Sequence, residues 1–362
     1  MIDGYEDLKI NLTYNGFDFC ALLNITYKDK LDTAEDVEAK LMSSLPEGFV
    51  RDKNAFVSAL RKTLADYTGP PGKCVETYKF ISPAIDGKHS TTRSFQINEC
   101  KLEDNEHAQK LLANLQTLSL WFIEGADTID VTDPRWLMYL TYEQTDGGKV
   151  FNPVGYVTVF KFFNPIGRKA AYCNADQNET HRICQALIFP TYQRQGHAER
   201  LVHCIHARAA ANPRVYELTV EDPVPAFASL RDLVNLKSCV ENNFFSLSPE
   251  LSVNACGPGV GTKALTINDI HAVQKTLKIT QTQVQICYEA RKFSFLNKHD
   301  EIERKKFRLE VKKRLFRQHA EELDVLVTAD QRKAFLGALY EEHEVHYRYM
   351  ASKIAQFISS QS

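Results

Sequence analysis

The strongest constraint on the fold lies between Arg182 and Ala211, where a strand-like run turns directly into a helix. Arg182 to Phe189 is largely apolar and stops at Pro190, which lacks the backbone donor that a central strand needs. Leu201, Val202, Ile205 and Ala209 then recur at helical spacing between His197 and Ala211, and Asn212-Pro213 ends the pattern. The junction itself reads Gln193-Arg194-Gln195-Gly196-His197-Ala198, a match to Q/R-x-x-G-x-G/A. A turn of this kind aims unpaired backbone N–H groups and the positive end of a helix at one point, which binds a diphosphate without lysines. Gly196 lets the backbone approach a phosphate, and Ala198 is nearly as small as a second glycine. Taken alone, the hexapeptide fits an ordinary tight turn equally well.

The flanking segments predict the rest of a sheet. Trp136 to Tyr142 reads as a strand, Asp146-Gly147-Gly148 as a hairpin turn and Gly155 to Phe163 as a second strand. A loop rich in Asn, Gly and Ala covers 164–180, Val215 to Val220 returns as a strand, and Pro225 to Leu236 follows as a helix. The order β-β-loop-β-α-β-α is that of an α/β sandwich with a mixed sheet. Upstream, short strand-like runs alternate with helices: one capped by Thr33 and Asp36, and one preceded by Asn54 with Phe56, Val57, Leu60 and Leu64 inward. Gly69-Pro70-Pro71-Gly72 interrupts, and Asp104 to Phe122 then places Leu111, Leu112, Leu115, Leu118 and Phe122 on one helical stripe. Beyond residue 262 helical patterns take over, at Thr266 to Lys278, Thr280 to Phe295, a charged stretch over 299–323 and a helix capped by Thr328. We therefore expect three domains, over 1–120, 121–250 and 251–362.

At 362 residues the chain exceeds what one core usually organises, and its 44% hydrophobic and 25% charged residues are ordinary globular proportions. No apolar run has bilayer-spanning length, so no membrane association is expected. Met1 to Asp7 lacks the features of a signal peptide, so the protein is expected to stay inside the cell unless an upstream piece is missing. The nine cysteines include no Cys-x-x-Cys pair, which predicts reduced thiols and no structural metal. A net charge of -2 argues against strong nucleic-acid binding and suits a cationic substrate better.

Longer strings narrow the reading. Arg182-Ile-Cys-Gln-Ala-Leu-Ile-Phe, Gln193-Arg-Gln-Gly-His-Ala, Leu218-Thr-Val-Glu-Asp-Pro and Leu230-Arg-Asp together resemble the acetyl-CoA core of the type B histone acetyltransferase catalytic subunits, within the GNAT superfamily. Trp121-Phe-Ile-Glu, Ile129-Asp-Val-Thr-Asp-Pro-Arg-Trp and Gly155-Tyr-Val-Thr-Val are similar to that family at matching separations. The resemblance runs from about residue 4 to 240. It implies a three-part enzyme with a GNAT core, an amino-terminal α+β domain and a helical carboxy-terminal domain. Such an enzyme transfers acetyl from acetyl-CoA, with no metal, to lysines near the amino terminus of newly made histone 4.

By position, Ala186, Leu187 and Ile188 would give main-chain contacts to pantetheine and the acetyl carbonyl. Gln193, Arg194, Gln195, Gly196, His197, Ala198 and Glu199 would form the pyrophosphate cradle. Glu221 would be the general base, assisted by Glu124 and Asp222, while Trp136, Phe160, Lys161 and Phe162 would line the histone groove. The resemblance also implies a WD40-type histone-binding subunit and a cytoplasmic or nuclear location.

The chemistry asks for a carboxylate on its own account. A lysine ammonium has a reference pKa near ~10.4, so exposing the amine at neutral pH costs roughly 4 to 5 kcal/mol, which a base at the site helps to supply. Glu221 ends the strand that follows the phosphate-binding helix, and Asp222 adds negative charge that attracts an ammonium. Without the family, the same pair reads as a turn before Pro223, and Trp136 as core. The acids at 124, 127, 130 and 133 form either a negative surface for a basic peptide or a solvated loop. Two departures stand out: Arg194 replaces a common glycine, and Ala226 replaces a hydroxyl-bearing residue. A non-catalytic acyl-CoA-binding histone chaperone, or a GNAT enzyme acting on a small amine, remain the alternatives.

Other signals are weaker. Gly257-Pro-Gly-Val-Gly-Thr-Lys has the wrong order for a nucleotide P-loop, and the pairs His203/His206 and His343/His346 lack zincin spacing. Arg304-Lys-Lys to Lys312-Lys-Arg is the one basic cluster. Interleaved Glu301, Glu303 and Glu310 favour a solvated helix over an import signal or nucleic-acid patch.

Overall fold

The computed structural model describes residues 2–82, 91–103, 105–165, 177–245, 265–297 and 299–361. The Gly257 to Lys263 string and most of the 164–180 loop lie outside these residues. The chain divides into two compact units, one of 1–162 with 182–201 and one of 163–181 with 202–362.

Unit 1 opens with β1 (Tyr5–Glu6), β2 (Lys9–Tyr14), β3 (Ala21–Thr26) and β4 (Asp29–Lys30), paired as β1 with β4 and β2 with β3. The β2–β3 turn is held by Asn15, whose Oδ1 accepts from Phe17 N at 2.9 Å and Asp18 N at 3.0 Å. Two helices follow, α1 (Val37–Leu41) and α2 (Lys53–Asp66). Their caps differ from the sequence expectation. Asp36 alone caps α1, accepting from Ala39 N, and Asp52 rather than a residue at 54 caps α2, accepting from Ala55 N. A carboxylate three residues before a free amide is the better acceptor, and Asn54 is already inside the helix.

The sheet of unit 1 is built from β5 (Lys73–Ser82), β6 (Thr91–Lys101), β7 (Trp136–Thr145), β8 (Val150–Phe163) and β9 (Glu179–Ile188), neighbours in that order. The first four run antiparallel. Alternation along β7 sorts its residues between two faces. Met138, Leu140 and Tyr142 join Leu111, Leu112 and Leu115 of α3 (Glu106–Ser119) in one core, so α3 covers that face. The helix stops at Ser119, and Phe122 is solvent-exposed beside exposed Trp121 instead of completing the stripe. Phe122 N and Ile123 N both donate to Ser119 O, at 3.0 and 2.8 Å, so the chain leaves α3 in a tight turn that takes residue 122 off the helical stripe.

The opposite face of the sheet carries Tyr78, Phe95 and Glu143, which sit in one row because Tyr78 pairs with Phe95 and Phe95 with Glu143. On this row rests the first turn of α4 (His197–Ala211).

In unit 2, β10 (Val215–Val220) lies beside the opening residues of β9, Asn178 N and Glu179 N both donating to Arg214 O at 3.0 Å. It leads into α5 (Pro225–Glu241). A helical assembly follows from α6 (Ile267–Leu277), α7 (Gln281–Phe295), α8 (Glu301–Gln318), α9 (Ala320–Val325) and α10 (Ala329–Gln361). Leu236, Val273, Val284, Phe307, Val311 and Tyr347 draw five of these helices into one core. At its centre Arg314 donates to Glu289 at 2.8 and 3.0 Å, and Tyr347 Oη donates to the same carboxylate at 2.5 Å. No described helix is long and apolar enough to cross a membrane. The expected α/β core with a helical carboxy-terminal region is the architecture observed.

Candidate active site

β9 delivers the chain to Ile188, and Pro190–Tyr192 then forms a single 3-10 turn. Gln193 stays extended (φ -65, ψ 155), Arg194 adopts φ 60, Gly196 adopts φ 88, and α4 begins at His197. Both positive φ values lie in the left-handed region that glycine occupies freely and other residues enter at a cost of about 1 to 2 kcal/mol. That conformation is the one glycine suits, and Arg194 adopts it here at that cost. A methyl group on Gly196 would lie 3.1 Å from Phe80 Cζ, so the loop is also pressed against β5.

Arg200 N returns to Gly196 O at 3.1 Å, so the amides of His197 and Ala198 lie ahead of the helical ladder. Gln193 is exposed and bonds back to its own loop: its amide donates to Pro190 O at 3.3 Å and its side chain to Ile188 O at 2.9 Å.

Ala186, Leu187 and Ile188 are held by a close approach of β8 and β9. Phe189 N donates to Val154 O at 2.9 Å, and a Cβ on Gly155 would fall 2.4 Å from Leu187 O. Glycine at 155 is what allows the two backbones to come so near.

A polar network absent from the sequence reading secures the other side of the loop. Arg93 on β6 forks onto Glu143 at 2.6 and 2.9 Å, Tyr192 Oη donates to Glu143 at 2.9 Å, and Arg93 Nη1 donates to Gln195 Oε1 at 3.2 Å. Arg93 holds the Glu143 carboxyl below its usual range, while burial and then Glu143 push the Tyr192 phenol up to about 12. His197 is buried among Phe80, Phe95 and Tyr192, and its Nδ1 meets Tyr78 Oη at 2.9 Å. Nε2 meets no hydrogen-bonding partner among the described residues. Burial, and next the Arg93 charge, lower its pKa to about 4, so the ring at the head of α4 is neutral at physiological pH. One sequence signal could have pointed here: a glutamate at 143 in a strand that opens with the apolar run Trp136-Leu-Met-Tyr-Leu.

Glu124 is exposed in the turn after α3. That turn is tied to β9, because Gln185 Nε2 donates to Asp127 O at 2.9 Å. The nearby acids are largely engaged locally: Asp127 accepts from Thr128 N at 2.7 Å, Asp130 from Thr132 at 2.6 and 3.0 Å, and Asp133 from Arg135 at 2.6 Å. These bonds hold Asp130 and Asp133 below the usual carboxylate range. Trp136 and Phe160 form a cross-strand pair with ring centroids 4.7 Å apart, and Arg135 covers Phe160 at 4.7 Å. Lys161 N bonds Arg135 O at 3.0 Å, and Arg182 lies over Phe162 at 4.9 Å. Of the four expected groove residues, Trp136, Phe160 and Phe162 are aromatic side chains with arginines over the two phenylalanines, while Lys161 alternates to the other face of β8.

In unit 2, Glu221 and Asp222 are exposed directly after β10, and Asp222 takes φ 32. Ala226 is exposed in the first turn of α5.

Comparison with known proteins places this architecture. A family model described as histone acetyl transferase HAT1 N-terminus matches residues 1–124. The Rattus norvegicus histone acetyltransferase type B catalytic subunit is 30% identical over 322 residues, covering 86% of this chain and 70% of the relative. The chain belongs to the type B histone acetyltransferase catalytic subunit family. The Schizosaccharomyces pombe member of that family is 29% identical over 361 residues, covering 98% of this chain and 84% of its own. Family similarity therefore extends through both units. Among solved structures, Arabidopsis thaliana NAA60 in complex with a bisubstrate analogue matches only distantly, at 10% identity and a TM-score of 0.29 over 39% of this chain and 83% of that one.

Proposed function

We propose that this chain transfers acetyl from acetyl-CoA to lysines in the amino-terminal tail of histone 4. Membership in a family of histone acetyltransferases makes it a histone-directed acetyltransferase. The observation that carries the cofactor assignment is the β9–α4 junction, with Gly196 at φ 88 and the amides of His197 and Ala198 at the opening of the helix. That junction has the charge and shape for a diphosphate. With the diphosphate there, the backbone of Ala186 to Ile188 is available to an extended pantetheine arm.

In this reading Glu221 takes a proton from the lysine ammonium. The freed amine attacks the thioester carbonyl, the N–C bond forms and the C–S bond breaks, and the nitrogen's second proton passes to the departing sulfur, so CoA leaves as the thiol. Glu124 and Asp222 supply negative charge toward the ammonium, and Trp136 with Phe160 to Phe162 supports the peptide. A WD40-type histone-binding subunit and action in cytoplasm or nucleus belong to the same proposal.

The experiment is acetylation of a histone 4 tail peptide, intact histone and a polyamine by the wild type and Glu221→Gln. The variant should turn over at least about tenfold more slowly at neutral pH, with acetyl-CoA affinity unchanged. Equal turnover removes Glu221 from its role, and preference for the polyamine removes the histone assignment.

A further inference from the structure

The basic cluster on α8 has an arrangement that the acetyltransferase reading leaves unused. Phe307, Val311 and Leu315 bury one face of α8 in the helical core, and Arg314 goes inward with them to Glu289. On the outer face Ile302, Leu309 and Phe316 stand seven residues apart and remain 70%, 49% and 51% exposed. Seven residues fall about 20° short of two full helical turns, so the three side chains make one gently drifting row roughly 21 Å long. Lysines line both sides of it, at 305 and 306 after Ile302 and at 312 and 313 after Leu309. Lys305, Lys306 and Lys313 form no ion pair with any described residue, while Lys312 is half-buried toward Gly337. Of the helix's three acids, Glu310 accepts from Lys292 at 2.7 Å and Glu303 from Asn297 N at 3.1 Å, while exposed Glu301 stands at the first helical residue, ahead of the lysines.

An apolar seam at heptad spacing with one sign of charge on both flanks is half of a two-helix interface. The row is one residue wide, too narrow for a helix lying in a membrane, which presents a broad apolar face. A nucleic acid would find no use for Ile302, Leu309 and Phe316. We infer that the outer face of α8 is a docking surface for a partner protein's amphipathic helix, apolar along its seam and acidic on both flanks.

The test uses the full chain and a fluorescent synthetic helix of about three heptads, with leucine along the seam and glutamate on both flanks. Fluorescence anisotropy should show saturable binding that weakens with salt. Leu309→Lys should lower the affinity at least about tenfold, with an unchanged melting temperature and unchanged acetyl-CoA binding. Reversing Lys305, Lys306, Lys312 and Lys313 to Glu should transfer preference to a lysine-flanked peptide by roughly tenfold. Absence of binding, equal binding of both peptides, or indifference to Leu309→Lys overturns the inference. Binding to phosphatidylserine vesicles without binding to the peptide overturns it in favour of a membrane surface.

Discussion

Gly155→Ala tests whether β8 and β9 approach as closely as the site requires. The new methyl would sit 2.4 Å from Leu187 O, 2.7 Å from Ile188 Cδ1 and 2.8 Å from Ile188 Cα. The Ile188 side chain can rotate away, but a carbonyl oxygen and a Cα cannot. Carbon–oxygen contacts settle near about 3.3 to 3.6 Å, so the strands must part by about 1 Å. Parting stretches the adjacent Phe189 N to Val154 O bond, now 2.9 Å, beyond hydrogen-bonding range. Overpacking costs about 1 to 3 kcal/mol and the lost bond about 1 kcal/mol, while the stiffer unfolded chain returns about 0.4 to 1 kcal/mol. The net loss is about 1 to 3.5 kcal/mol. Urea unfolding followed by tryptophan fluorescence measures it, since Trp121 and Trp136 both lie in unit 1. Acetyl-CoA KM should rise as well, because the displaced backbone is that of Leu187 and Ile188. Gly16→Ala is the control: its methyl would meet only Pro153, at 3.5 and 3.8 Å, and should shift stability by less than about 0.5 kcal/mol. A Gly155→Ala protein with unaltered unfolding and KM would refute the close approach.

Three further outcomes are expected. His197 is neutral in the fold down to about 4 but titrates near about 6.5 when unfolded, so its contribution is complete above that value and is lost as pH falls toward 4. The loss amounts to roughly 3 kcal/mol, and acid titration of stability should flatten by that order in His197→Gln relative to wild type. Arg194→Gly relieves a left-handed arginine and should raise stability by about 0.5 to 1 kcal/mol in thermal unfolding, after the entropy cost of glycine is subtracted. Glu289→Gln leaves the buried Arg314 without its counter-charge, and should cost about 3 to 5 kcal/mol in denaturant unfolding of the helical unit.

Most of the element plan was legible because its signals are local. The structure gives α4 and β10 the bounds read from sequence, since Pro190, Gly196, Asn212 and Pro213 punctuate an unbroken apolar period. The Thr266, Thr280 and Thr328 caps are equally local, each accepting from an amide three residues on. The reading failed where geometry between distant segments decides. Phe122 continues the α3 stripe in sequence but falls after the helix end at Ser119. Arg314 looked like part of a solvated basic run but points into the core, because its angle on α8 matches Phe307 and Val311.

What the amino-acid order determined by itself is the strand–turn–helix junction, including where glycine is indispensable, because those choices depend on φ, ψ and hydrogen bonding within a dozen residues. Only the tertiary structure decided what braces that junction. Arg93, Glu143 and Tyr192 are tens of residues apart, and antiparallel register puts the first two on one sheet face, where the 3-10 turn delivers the third. Register is set by the burial of whole strands against α3, a collective energy that no short window of sequence contains.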